Sequence, residues 1–182
     1  KTDGVLSSGF VALELARAVW PMSCRAALEQ MGYQIDIDIL KCRERPELLW
    51  QELNKTMAGG QKALNFFWEE GWDYFEYIVT GTDRLHHLLW RAYEDPAHPA
   101  HQSFLDFYRH IDRLIGKIVA AYHKLTNTYA GFYILSDHGF TGTEKEVYLN
   151  AWLEQNGYLR FLKPMPESLE DIHGRSRAFA LD

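Results

Sequence analysis

Cysteine is scarce in this chain, with 2 in 182 residues. Cys24 and Cys42 form no C-x-x-C pair and stand beside no histidines at zinc-finger spacing, which excludes a disulfide scaffold and a cysteine-based zinc module. Two such thiols read as reduced side chains of a cytoplasmic protein. Positive charge is also in deficit: 19 Lys and Arg against 25 Asp and Glu leave a net charge of −6, with the cations scattered rather than gathered into a stripe. A nucleic-acid duplex is therefore excluded as a partner. Apolar runs such as Phe132–Leu135 and Leu88–Trp90 fall far short of the roughly 20 residues that span a bilayer, so no membrane segment is expected. Internal repeats and low-complexity tracts are missing. So is an initiating methionine: the chain begins Lys1-Thr2-Asp3 and stops at Phe179-Ala180-Leu181-Asp182 without a helix-ending or tail-like signal. A cut fragment of a longer protein is expected, and the lack of a leader then says little about compartment.

What is present is apolar and aromatic: 47% hydrophobic positions and six tryptophans, enough to bury a core as one domain. The first twenty residues are weakly patterned. Pro21 then predicts a helix start and Gly32 its end. Ile35, Ile37 and Ile39 alternate with Asp36 and Asp38, the period of a strand with one apolar face and one solvated face, so Asp36-x-Asp38 is set aside as a metal motif. From Pro46, Leu49, Trp50, Leu53, Met57, Leu64, Phe67 and Trp68 recur at helical spacing, with a kink or break expected at Gly59-Gly60. Tyr74–Val79 reads as a strand, followed by a helix from Thr80-Gly81-Thr82. Residues 95–101 read as a loop. Phe104, Phe107, Tyr108, Ile111, Leu114, Ile115, Ile118, Val119 and Tyr122 then define a long amphipathic helix. Phe132–Leu135 reads as a buried central strand, residues 148–153 as a helix, residues 157–162 as a strand, and the chain after Pro164 and Pro166 as loop.

The alternation of helix and strand predicts an α/β fold, a mostly parallel sheet flanked by helices. Within it, residues 10–70 would form a helical, cap-like portion, residues 73–162 the core bearing the site, and residues 163–182 a loop-like end of one partial domain. Ligands bind outside the carboxyl ends of strands in such sheets, and both expected strand ends carry Asp and His.

In Thr82-Asp83-Arg84-Leu85-His86-His87, Asp83 and His87 are four residues apart, so on a helix they point within about 40° of each other and can touch one ion. Leu85, Leu88, Leu89 and Ala92 lie on the other side of the wheel, and burying them aims Asp83 and His87 toward the strand end, with Trp90 as a wall. The plainer alternative makes Asp83 a helix cap and His87 a surface histidine. Ser136-Asp137-His138-Gly139 supplies the second pair, where Gly139 would permit a sharp exit from the sheet; its plainer alternative is a turn aspartate with an incidental histidine. Taken together, the pairs point to a two-metal centre. Each falls short of the three protein ligands usual at a catalytic zinc. His86 projects about 100° away from His87, and His98, His101, His110, His123 and His173 lie in loops, on the long helix or in the tail.

At these residues the chain resembles the alkaline phosphatase superfamily, in its type I phosphodiesterase/nucleotide pyrophosphatase branch. Gly81–Trp90 is similar to the family's Asp-x-x-x-His metal segment, and Ser136–Phe140 to its Asp-His segment. Val147–Leu153, Gly157-Tyr158-Leu159 and Ser8-Gly9-Phe10 are similar to further family segments, so the resemblance covers nearly the whole chain. It implies an incomplete alkaline phosphatase-like core, two divalent ions (zinc first, manganese second), Asp83 and His87 on one ion, and Asp137 and His138 on the other. It places the first metal-binding aspartate and the Thr or Ser nucleophile upstream of Lys1, and the last metal-binding histidine downstream of Asp182. Ser7 and Ser8 are not that nucleophile. The implied chemistry is attack of a metal-activated hydroxyl on a small-molecule phosphate ester, giving an enzyme-bound phosphoryl or nucleotidyl group that water resolves. With half of each site, the fragment is expected to retain metal weakly, to hydrolyse little, and to self-associate through exposed sheet edges. The rival reading is a non-catalytic α/β interaction module whose Asp and His residues are structural.

Overall fold

The computed structural model describes residues 4–7, 14–69, 71–163 and 171–180. Ser8-Gly9-Phe10 and the segment after Pro164 up to residue 170 lie outside them. The chain divides into two compact units, Lys1–Phe140 and Thr141–Asp182.

The first unit is built from helices. Two short strands, β1 (Leu6–Ser7) and β2 (Val19–Trp20), pair antiparallel, with α1 (Leu15–Ala18) leading into β2; the described residues among the first twenty are thus more organised than their pattern suggests. After Pro21, a 3₁₀ turn at Met22–Cys24 feeds α2 (Arg25–Met31), which stops at Gly32 in the left-handed conformation, φ 71°, where glycine carries no Cβ penalty. Next come α3 (Ile39–Glu44), a 3₁₀ turn at Pro46–Leu48, α4 (Leu49–Trp68), α5 (Gly81–Glu94) and α6 (His101–Thr126). The expected long helix is there, and Phe104, Phe107, Ile111 and Leu114 of its stripe are buried. The first three close a core with Leu49, Leu53 and Met57 of α4 and Leu85 and Ala92 of α5. A second cluster joins Ala18, Val19, Leu28, Ile35 and Ala63. Among the described residues no helix is long and apolar enough to cross a membrane.

The expected parallel sheet is overturned: β1 and β2 are the strands named among the described residues, and they are antiparallel and two residues each. Tyr74–Val79 and Phe132–Leu135 run without ladder partners. Tyr133, Ile134 and Leu135 are 77%, 64% and 87% exposed, so the expected buried central strand is an open run. Aromatic and β-branched residues favour a pleated surface only when a neighbouring strand satisfies the backbone and covers the side chains, and neither run finds one here.

The isoleucine alternation has a different cause from a strand. Ile37 is buried in the first cluster and Ile35 in the second, so the segment between them is pinned from two sides. Asp38 is the N-cap of α3, its Oδ1 accepting from the Lys41 N–H at 3.0 Å. Asp36, by contrast, is not solvated; its side chain is 3% exposed and paired with Arg84.

At Gly59-Gly60 the helix neither kinks nor breaks, and α4 is continuous across both. A Cβ on Gly59 would stand 2.7 Å from the carbonyl oxygen of Gly32, and one on Gly60 would stand 2.7 Å from the Tyr77 hydroxyl. The glycines let α4 press against the end of α2 and against Tyr77. That packing buries the phenol and pushes its pKa up to about 12. Because the folded-state value is raised, the unfolded chain ionises first as pH climbs past 10, and stability falls between about pH 10 and 12. Tyr77→Phe is expected to remove roughly 2 kcal/mol of that alkaline loss, read as a shallower fall in urea-unfolding stability from pH 8 to 11.5; parallel curves would contradict it.

In the second unit, α7 (Leu149–Gln155) matches the expected helix; Leu153 and Leu159 are buried there, and the Leu159 N–H donates to the Leu153 carbonyl at 3.1 Å. The expected strand at 157–162 is reduced to one bridge, Phe161 to Ile172. Asn150 ties the far end back, donating to the Ala180 carbonyl and accepting from its N–H at 3.0 and 2.8 Å.

Candidate functional site

Helix α5 places the first pair. Its start is set by Gly81, where a Cβ would stand 3.0 Å from Phe107 of α6 and 3.5 Å from Leu53 of α4. Leu85 and Ala92 are fully buried and Leu88 and Leu89 pack against the same core, so the wheel turns as expected. Asp83 and His87 consequently project from the open face, with side chains 31% and 48% exposed. His87 Nε2 lies 3.5 Å from Asp83 Oδ1.

The second pair arrives on the loop after Leu135. His138 Nε2 lies 3.8 Å from the same Asp83 Oδ1 and 3.7 Å from Asp137 Oδ2. One carboxylate oxygen is therefore flanked by two imidazole nitrogens contributed from segments about fifty residues apart. Asp137 sits at the rim, its side chain 89% exposed. Gly139 has no positive φ, so the loop turns without the glycine freedom its sequence suggests. His138 Nδ1 is 2.9 Å from the Gly139 carbonyl oxygen, which accepts the Nδ1 proton and leaves Nε2 with its lone pair toward the two carboxylates when the ring is neutral. That bond, and then Asp137, raise the His138 pKa. Among the described residues, no group of three or more His, Cys, Asp or Glu side chains has the geometry to hold a metal ion as it stands.

Beside these groups opens a cavity of about 550 Å³, lined by Thr82, Asp83, His86, Trp90, Phe104, Tyr108 and Ser136–Phe140 among others. Trp90 walls it as expected. His86 was the less favoured histidine on spacing, yet it is the centre of an aromatic box: its ring stacks on Phe104 and Tyr108 at 5.7 Å, meets Trp90 edge-on at 5.0 Å and lies 4.8 Å from Phe140. The Tyr108 hydroxyl is 2.6 Å from His86 Nε2. Burial lowers the His86 pKa against the opposing pull of Asp83. The signal that could have found the box is the α6 stripe itself, since Phe104 and Tyr108 are four residues apart and share its face toward α5. The cavity's two aliphatic hydroxyls are engaged with backbone: Ser136 Oγ donates to the His138 carbonyl at 2.6 Å and Thr82 Oγ1 to the Val79 carbonyl at 3.3 Å.

The family profile for type I phosphodiesterase / nucleotide pyrophosphatase matches residues 48–180, which include both Asp-His pairs and the helices that carry the box. The chain belongs to this family. The assignment is consistent with the alkaline phosphatase superfamily, and it makes the protein a member of a family of phosphoric ester hydrolases that are generally metal-dependent and act on small-molecule phosphate esters. No curated protein and no solved structure matches the chain.

Proposed function

We propose that this chain carries the metal-binding part of a phosphodiesterase site, with Asp83, His87 and His138 as the principal ligands and Asp137 completing the set at the rim. The observation that carries the reading is the convergence of His87 and His138 on one oxygen of Asp83, at 3.5 and 3.8 Å. Ligands about 2.0–2.1 Å from a tetrahedral zinc lie roughly 3.3 Å apart, so each imidazole nitrogen stands within about half an ångström of a ligand's spacing from that carboxylate oxygen, and the side chains would have to draw in around an ion. The donor set suits zinc ahead of harder cations, since imidazole favours zinc and magnesium prefers all-oxygen shells. The proton placement on His138 supports it too, because a ligating imidazole ordinarily gives its other N–H to a carbonyl or carboxylate.

A bound ion would supply Lewis-acid stabilisation of phosphoryl oxygens. The chain's own residues do the rest: Asp83 holds negative charge at the mouth of the cavity, and Trp90, Phe104, Tyr108 and Phe140 present flat apolar walls for the organic group of an ester. Neither Ser136 nor Thr82 stands free as a nucleophile, because each hydroxyl proton is given to a backbone carbonyl.

Purified as these 182 residues, the protein is expected to turn over bis-p-nitrophenyl phosphate with added zinc no faster than buffer with zinc, and efficient turnover would overturn the assignment of this chain as a partial site. In the longer enzyme of which it would form part, Asp137→Ala with His138→Ala is expected to remove metal and activity together. Unchanged behaviour there would instead favour an interaction module with structural Asp and His residues.

A further inference from the structure

Asp83 can serve two imidazoles with Oδ1 only if something fixes its other oxygen. That oxygen, Oδ2, accepts from Arg84 Nη1 at 2.9 Å. An arginine against a metal-binding carboxylate raises a difficulty, because an uncompensated guanidinium so close would repel an incoming cation. The difficulty is removed by Asp36, from a segment 48 residues earlier, whose Oδ2 accepts from both Arg84 Nε, at 2.8 Å, and Nη2. Asp36 Oδ1 in turn accepts from the Ile37 N–H at 2.8 Å. Its side chain is 3% exposed and that of Arg84 is 16% exposed, so the pair is shielded from water and poorly screened by salt. The backbone that carries Asp36 is held on both sides, by Ile35 in one apolar cluster and Ile37 in the other.

We propose that Asp36 is a positioning residue for the metal site: through Arg84 it fixes the rotamer of Asp83 and neutralises the guanidinium, so that the Asp83 charge stays available to a divalent cation. The proposal rests on the reading of Asp83 as a ligand. The charges follow directly. Asp36 pairs with Arg84, and Asp83 keeps Oδ1 facing the two imidazoles, a set of donor types that suits a divalent ion. Without the Asp36 charge, Arg84 draws more strongly on Asp83, and the carboxylate is less available to a cation.

The test is Zn²⁺ binding to the full 182-residue chain, measured by competition with a chromophoric chelator, with folding followed by circular dichroism. Asp36→Asn is expected to weaken zinc by about 10–100-fold, the range typical of removing an outer-shell partner, while Asp36→Glu, which restores the charge on a longer arm, recovers part of the loss. Leu114→Ala, buried on α6 outside the two clusters that hold Ile35 and Ile37, is the control for general destabilisation and is expected to bind zinc like the parent. Zinc affinity in Asp36→Asn equal to the parent's, or lost equally in Leu114→Ala, overturns the positioning role. Where Asp36→Asn does not fold, Arg84→Lys decides: it keeps the charge without the fork, so several-fold weaker zinc binding supports the role and unchanged binding overturns it. Asp83→Ala separates the two layers. Zinc binding that survives Asp83→Ala removes the ligand assignment and the positioning role with it, whereas binding lost in Asp83→Ala and intact in Asp36→Asn removes the positioning role alone.

Discussion

Phe104→Ala is expected to cost about 3–4 kcal/mol of stability, towards the lower part of the range for removing a buried phenylalanine. The ring is 1% exposed and sits where α6 meets α5. It stacks on Tyr108 at 5.6 Å and on His86 at 5.7 Å, with Tyr93 5.7 Å away, so truncation removes several aromatic contacts as well as apolar burial. The lower part of the range applies because Phe104 also lines the 550 Å³ cavity. Space opened there joins a region that water reaches, instead of leaving a dry void. Against a total stability of about 5–15 kcal/mol for a domain, such a loss is large. Urea unfolding at pH 7 measures it, and a change below about 1 kcal/mol would mean that the α5–α6 contact is not what holds the site helix in place. The same substitution tests the pocket, because His86 loses a stacking partner and one wall of the box disappears.

Helical periodicity made the first unit's helices and their inward faces legible. Phe104, Phe107, Ile111 and Leu114 on α6, and Leu85 and Ala92 on α5, are buried as their spacing predicts. A 3.6-residue repeat reports which side of a helix faces the core whatever that core is made of. Period-two alternation carries no such guarantee. Ile35 and Ile37 alternate with aspartates because they enter two separate clusters around a buried ion pair, and nothing in a short window distinguishes that from a pleated strand. Tyr133, Ile134 and Leu135 show the converse: strand-forming residues specify a strand only where a partner ladder exists, and here they are exposed. The candidate site was legible in its members and less so in its grouping. Spacing on one helix joined Asp83 to His87, and adjacency joined Asp137 to His138, giving two pairs. The approach of His138 to Asp83 across about fifty residues is a tertiary fact. So is the pairing of Asp36 with Arg84, the reason an apparently solvated aspartate is a buried one.

Among single substitutions at the four candidate ligands, Asp83→Ala is expected to have the greatest effect on metal binding, weakening zinc by well over the about 100-fold upper range for an outer-shell partner. The ordering follows from geometry. Asp83 Oδ1 is the atom shared by His87 and His138, whereas Asp137 is 89% exposed and within reach of His138 alone, so Asp137→Ala removes a rim donor and is expected to weaken zinc less than loss of any of the other three. Charge reinforces the order, since Asp83 is the carboxylate between the two rings and its loss leaves only the rim carboxylate Asp137 beside them among the four candidate ligands. Stability should change far less than binding: an acidic residue in the first turn of α5 contributes about 0.3–1 kcal/mol through the helix dipole, and Arg84 retains Asp36. Zinc titration and thermal unfolding on the same preparations separate the two effects. A protein that stays folded and loses zinc fits the shared-carboxylate site, and one that keeps zinc within threefold of the parent does not. If Asp137→Ala proves as damaging as Asp83→Ala, the rim carboxylate is a full ligand, and the two pairs serve two ions instead of converging on one.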